Sequence, residues 1–190
     1  MKENFEITAT DGKKYWISRA HAVVSCITGV KTTEAGHDLF FLLERRGPGC
    51  PDNVGKLAFP CGYVNWDETR LDAVIRETYE EIGLQLLEGN VVEWETIDDP
   101  KADARQNIVT RYIAGLPFEY LIEEMPKILE RFRDSAARGG EAAEVSEVLL
   151  LSWDEIVDLP EEEFAFGHKS LILDLYDYLD DEFIEDILEL

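Results

Sequence analysis

Glu77, Glu80 and Glu81 are the residues whose type and spacing most directly suggest chemistry. With each helical residue advancing about 100°, Glu80 falls about 60° to one side of Glu77 and Glu81 about 40° to the other. Three carboxylates then share one narrow face. Leu71, Ile75, Thr78 and Ile82 lie on the opposite side, where they can pack inward. Like charges at this spacing destabilise a helix by roughly 0.2–0.5 kcal/mol per pair. The face can relieve the repulsion by being wholly solvated, or by holding a hard divalent cation. An oxygen-only donor set suits Mg2+ or Mn2+.

The trio sits inside a longer pattern. Gly62, Glu68, Arg76-Glu77, Glu80-Glu81 and Gly83-Leu84 follow the order G-x5-E-x7-R-E-u-x-E-E-x-G-u, where u is apolar. This resembles the Nudix hydrolase box, with eight defined positions in register over residues 62–84. Thr78 stands where an apolar residue is usual, and Thr suits the inner face. Cys61 replaces the glycine frequent before the box. The resemblance extends to Leu57–Gly62, to Val148–Leu151 with Trp153–Ile156, and to Phe164–His168, so it covers about residues 20–180.

The resemblance implies an α/β fold in a single domain over residues 1–190. Its form would be the Nudix α/β/α sandwich, a mixed curved sheet between helices, with an extra C-terminal helix. It also implies hydrolysis of a nucleoside diphosphate linked to another moiety, with Mg2+ as cofactor and Mn2+ as the alternative. The implied metal ligands are Glu68, Glu77, Glu80, Glu81 and Cys61, the last through its backbone carbonyl. Arg76 would orient the glutamates through charge-assisted contacts. The family places the general base either in the box or on a late loop. Among Glu141, Glu144 and Glu147, Glu144 fits best by its spacing to the late strand.

Residues outside the box bear on substrate. Arg45 and Arg46 end a strand and lead into the loop before the box. Arg105 and Gln106 precede another strand, and all three arginines are candidate phosphate contacts. Tyr63, Trp66 and Trp94 could stack on a base, with packing as the alternative role for each. Pro100 lies 16 residues after Leu84. A proline at that distance is common in family members that cleave ADP-ribose and related sugar nucleotides, which places those compounds first. The alternatives are (d)NTPs, dinucleoside polyphosphates, or a non-catalytic nucleotide sensor. The retained carboxylates favour the enzyme.

The elements must position these groups, and composition limits what surrounds them. Eighteen Lys and Arg against 41 Asp and Glu give a net charge of −23. Such a surface argues against nucleic acid or an anionic membrane as partner. A phosphorylated small molecule must instead be met by local Arg or Lys groups or by a bound cation. From Ser146 to Leu190 there are 15 acidic residues and one cation, Lys169, so the remainder is nearer balance and can hold the site. Cys26, Cys50 and Cys61 show no paired spacing, and Met1–Phe5 has no apolar leader, so a reduced, cytoplasmic protein is expected.

Strands are expected at Tyr15–Ser18, Ala22–Ile27, Asp38–Leu43, Val91–Ile97, Ile108–Ala114 and Val148–Leu151. The stretch from Gly47 to Gly62 reads as one long loop. Helices are expected over Leu71–Ile82, over Tyr120–Arg138, and after Gly167. In the last, Ile172, Leu175, Leu179, Phe183, Ile187 and Leu190 form one apolar stripe. Packing on its own domain is the expectation, with a homodimer contact as the alternative.

Overall fold

The computed structural model describes residues 5–99, 107–139, 143–179 and 184–185. Strands β1 (Phe5–Thr8) and β2 (Lys14–Ile17) pair antiparallel as a sheet of their own. The long strands β3 (His21–Thr33) and β4 (Gly36–Arg46) follow as a hairpin closed by Glu34-Ala35, with Thr33 opposite Gly36. Then come β5 (Leu57–Ala58), β6 (Cys61–Tyr63), helix α1 (Arg70–Ile82), β7 (Val91–Ile97) and β8 (Ile108–Pro117). Helix α2 (Phe118–Gly139), β9 (Val145–Ser152), α3 (Trp153–Asp158) and α4 (His168–Tyr178) complete the order.

Seven strands form one mixed sheet. β3 pairs in parallel with β8, and its other partners, β4 and β6, are antiparallel. The feature that builds the site is a split between β3 and β4. They pair only from Thr28 with Phe41 outward to the hairpin. Beyond that point β5 takes Glu44 and Arg45 of β4, and β6 takes Ala22–Val24 of β3. The Ser25 N–H donates to the Pro60 carbonyl at 2.9 Å between these two pairings. Residues 57–63 are thus a wedge driven into the sheet. The sequence reads them as loop because two- and three-residue strands carry no periodicity.

Alternation along β4 sorts the two faces. Leu39, Phe41 and Leu43 pack with Ile156 of α3 and with Leu171, Ile172 and Leu175 of α4. Leu42 points the other way, into a cluster with Ile82 of α1 and with Leu121 and Ile128 of α2. Helices cover both faces, giving the expected α/β/α sandwich. In α4 the apolar stripe is buried in this chain's own core at Ile172, Leu175 and Leu179, and Ile184 joins them. Phe183, Ile187 and Leu190 lie outside the described residues. Among the described residues, no helix is long and apolar enough to cross a membrane.

Helix α1 is fixed at both ends. Thr69 Oγ1 accepts from the Asp72 N–H at 3.1 Å, and the Asp72 carboxylate accepts from the Thr69 N–H at 2.9 Å, a reciprocal cap. At the other end Gly83 adopts φ 77°, a left-handed conformation suited to glycine. Its carbonyl accepts from Arg131 of α2 at 2.5 Å. Thr78 is fully buried on the inner face, and its hydroxyl donates to the Val74 carbonyl at 2.7 Å. That bond explains how a polar residue fits an apolar position.

Candidate functional site

One guanidinium gathers most of the box. Arg76 Nε donates to Glu68 Oε2 at 2.9 Å and Nη2 to Glu68 Oε1 at 2.6 Å, a fork on a carboxylate. Nη1 lies 2.8 Å from Glu77 Oε1 and donates to Glu80 Oε2 at 2.9 Å. Nη2 also reaches the Tyr63 carbonyl at 3.1 Å, tying the group to the wedge. The Arg76 fork, together with the Asn65 N–H at 2.6 Å, holds the Glu68 carboxyl down at about 2. Burial raises Glu77, and Arg76 opposes that rise.

Glu77 leans against the wedge. A Cβ on Gly62 would lie 2.2 Å from the Glu77 carboxyl carbon, so the carboxylate occupies the space a side chain would need. Glu81 sits deeper, with Oε2 accepting from the Cys61 N–H at 2.8 Å. Its carboxyl is raised by burial first and by the nearby Glu44 second. The Cys61 thiol is pushed well above its ordinary value by burial, which keeps it protonated. Cys61 therefore meets the carboxylates through its main chain.

Glu44 is the residue that sequence reasoning missed. It lies on β4 between Ala58 and Val148, fully buried, and neither carboxylate oxygen has a hydrogen-bond partner. Arg46 Nη1 approaches Oε1 only to 3.7 Å. Burial raises the Glu44 carboxyl, and the fields of Glu144 and Glu77 add to the rise. A signal existed: two residues beyond Leu42, Glu44 falls on the same inward strand face. Ending the strand at Leu43 concealed it.

The late loop approaches the same carboxylates. The Gly47 N–H donates to the Glu144 carbonyl at 2.6 Å, and the Gly49 N–H to the Ala143 carbonyl at 2.9 Å. Cys50 Sγ donates to the Glu144 carbonyl at 3.0 Å. The Glu144 side chain is exposed, and its charge is felt at Glu77 and Glu44. Arg45 is engaged by Glu147 at 3.0 Å and the Gly55 carbonyl at 2.9 Å. Arg46 is buried between Asp52, at 3.6 Å, and the Phe166 ring, 4.8 Å from its centroid. Arg105, Gln106, Pro100 and Glu141 lie outside the described residues. Trp94 packs on Tyr178, whereas Trp66 is 84% exposed beside the box.

Among the described residues, no three His, Cys, Asp or Glu side chains converge as a ready-made metal-holding group. Arg76 draws Glu68, Glu77 and Glu80 to itself, and Glu81 is turned to the Cys61 N–H. The donor chemistry nevertheless fits a hard cation. All the candidate side chains offer oxygen, and Glu44 places two unpartnered oxygens behind Glu81.

The family model of the NUDIX domain matches residues 20–175. The chain belongs to the NUDIX domain family. A mutT/nudix family protein from Listeria innocua is 26% identical, with a TM-score of 0.58 over 87% of this chain and 96% of that one. The NUDIX domain of Shewanella oneidensis NrtR, solved with ADP ribose, is 18% identical, with a TM-score of 0.61 over 86% and 90%. A bifunctional NMN adenylyltransferase/ADP ribose pyrophosphatase from Francisella tularensis, solved with AMP and a manganese ion, is 14% identical. Its TM-score is 0.54, over 84% of this chain and 42% of that one. At these identities the last two share the NUDIX fold. The box of this NUDIX chain runs from Gly62 on β6, through the loop carrying Glu68 and helix α1, to Gly83 and Leu84 just past the end of the helix.

Proposed function

We propose that this chain is a divalent-cation-dependent diphosphohydrolase acting on a nucleoside diphosphate linked to another moiety. The observation that carries the reading is the arrangement of Glu68, Glu77 and Glu80 around Arg76, with Glu81 against the wedge. A bound Mg2+ or Mn2+ would neutralise phosphate oxygens and lower the pKa of the attacking water. Glu77, Glu80 and Glu81 would hold the cation, with the Cys61 carbonyl as a further oxygen donor. Glu68 keeps Arg76 in place, and Arg76 limits how far Glu77 and Glu80 can turn. Glu144 takes the proton of the attacking water onto a carboxylate oxygen, from a loop pinned to residues 47–50. Arg45 and Arg46 are phosphate contacts only if each exchanges a present partner, Glu147 or Asp52, for the substrate.

ADP-ribose and related sugar nucleotides rank first. Support comes from the ADP ribose bound by the Shewanella domain and the AMP and manganese in the Francisella enzyme. A polymeric nucleic acid is not a partner on this reading, because a charge of −23 repels phosphate chains. A longer NrtR chain was solved on a 27mer DNA, and the present chain spans 60% of it.

The test is a panel of ADP-ribose, other sugar nucleotides, dinucleoside polyphosphates and (d)NTPs with Mg2+ or Mn2+, with products identified. AMP and ribose phosphate, formed only without EDTA, are expected from ADP-ribose. A nucleoside triphosphate with kcat/KM more than about tenfold higher, worth about 1.4 kcal/mol of transition-state binding, would reverse the ranking. No turnover of any compound, with nucleotide binding retained, would leave the sensor alternative.

A further inference from the structure

Glu44 is not part of the box, lies on a different element, and has no role in the reading above. We infer that it is a further carboxylate of the cation site, supplied from the sheet and sharing a divalent ion with Glu81. The inference rests on the proposed function.

Its burial is the first observation. A fully buried carboxylate whose two oxygens accept from no N–H or hydroxyl group is among the most unfavourable groups a protein can keep. The nearest cation does not resolve this. Arg46 stands 3.7 Å from Oε1, while its Nε donates to the Asp52 carbonyl at 3.3 Å and its planar face meets Phe166. Direction is the second observation. Glu44 shares the strand face of Leu42, which packs with Ile82 of α1, so it is turned towards the helix that carries Glu81. Its charge raises Glu81, carboxyl contact with Glu81 lowers Glu44 in return, and Glu77 and Glu144 add further negative charge from α1 and the late loop. The backbone on either side is already used in pairing with Ala58 and Val148, so the side chain alone addresses the site. Two things can make such a pair stable: a proton shared between the carboxyls, or a cation between them.

Glu44→Gln separates them. Glutamine has the same shape and can donate to Glu81 as a protonated carboxyl would, but it carries no charge. The metal-free wild type and variant are titrated with Mn2+ alone and followed by the loss of the free-ion EPR signal. The variant is expected to bind Mn2+ at least tenfold more weakly, or to hold fewer ions. Its metal-free melting temperature should equal or exceed that of wild type, because a buried amide needs neither a proton nor a counter-ion. Glu44→Asp keeps the charge one methylene further back and should recover part of the lost affinity, which a packing role would not do. Unaltered Mn2+ binding by Glu44→Gln overturns the inference and assigns Glu44 to a shared proton. In that case EDTA-sensitive turnover by wild type still upholds the hydrolase reading. A wild type that binds no Mn2+ and turns nothing over overturns both.

Discussion

Arg76 makes the box a connected unit, because one planar group touches Glu68, Glu77, Glu80 and the Tyr63 carbonyl. Charge removed from Glu80 or Glu81 with the side-chain shape kept should therefore act on rate before it acts on fold. Glu80→Gln and Glu81→Gln are each expected to lower kcat by roughly 10²–10³-fold, the scale seen when one preorganised electrostatic group is lost. Circular dichroism should be unchanged, and near-wild-type kcat in both variants would contradict the site. Gly62→Ala asks a sharper question. The atoms that the added methyl would meet first are the end of the flexible Glu77 side chain, so the fold can adapt while the carboxylate is displaced. Steady-state kinetics should show kcat reduced more than about tenfold, with a melting temperature close to wild type.

Helix α1 carries the carboxylates, and its N-terminal cap fixes where they begin. Thr69→Ala removes one half of the reciprocal cap and should cost about 1 kcal/mol. For a domain of this size that is a fall of roughly 2–4 °C in a thermal melt. Helix α4 supplies a pH-dependent contribution. His168 is buried at its start, and Nδ1 accepts from the Phe59 N–H at 3.0 Å, which requires a neutral ring. Burial drives its pKa down to about 3 from an ordinary 6.5. The unfolded chain then binds the extra proton between those values, so this contribution is complete above about 6.5 and is lost as pH falls towards about 3. Urea midpoints at pH 7 and pH 5 should differ more for wild type than for His168→Asn, which keeps an acceptor but does not titrate. Most of these elements are legible in the sequence, because α1, α2, β7 and β8 have the periodicity or the β-branched content of their type. The extensions of β3 and β4 are not. Lys31–Thr33 and Gly36-His37 are polar residues held in the ladder by cross-strand pairing, which no local pattern signals. Glu44 stands on a legible strand face, but its meaning depends on Glu81, 37 positions later in the sequence.

Over the whole molecule, excess negative charge and the carboxylate cluster act in the same direction. A site that crowds Glu44, Glu77 and Glu81 is repulsive without a counter-ion, so a cation that binds only the folded state must raise stability. Saturating Mg2+ or Mn2+ should raise the melting temperature more than an equal ionic strength of NaCl, and differential scanning fluorimetry reads this directly. A melting curve indifferent to both ions would remove the cation from the site. The split sheet has a separate consequence, concerned with association rather than catalysis. Ala22–Val24 on β3 and Glu44-Arg45 on β4 find their ladder partners in the wedge, not in each other. If the wedge lifts away, two stretches of strand edge lose their pairing at once, and such edges recruit other chains. The segment that carries Gly62 and Cys61 to the carboxylates is thus also a stopper against aggregation. A lesion that unseats it is expected to appear first as insoluble protein, before any loss of turnover can be measured.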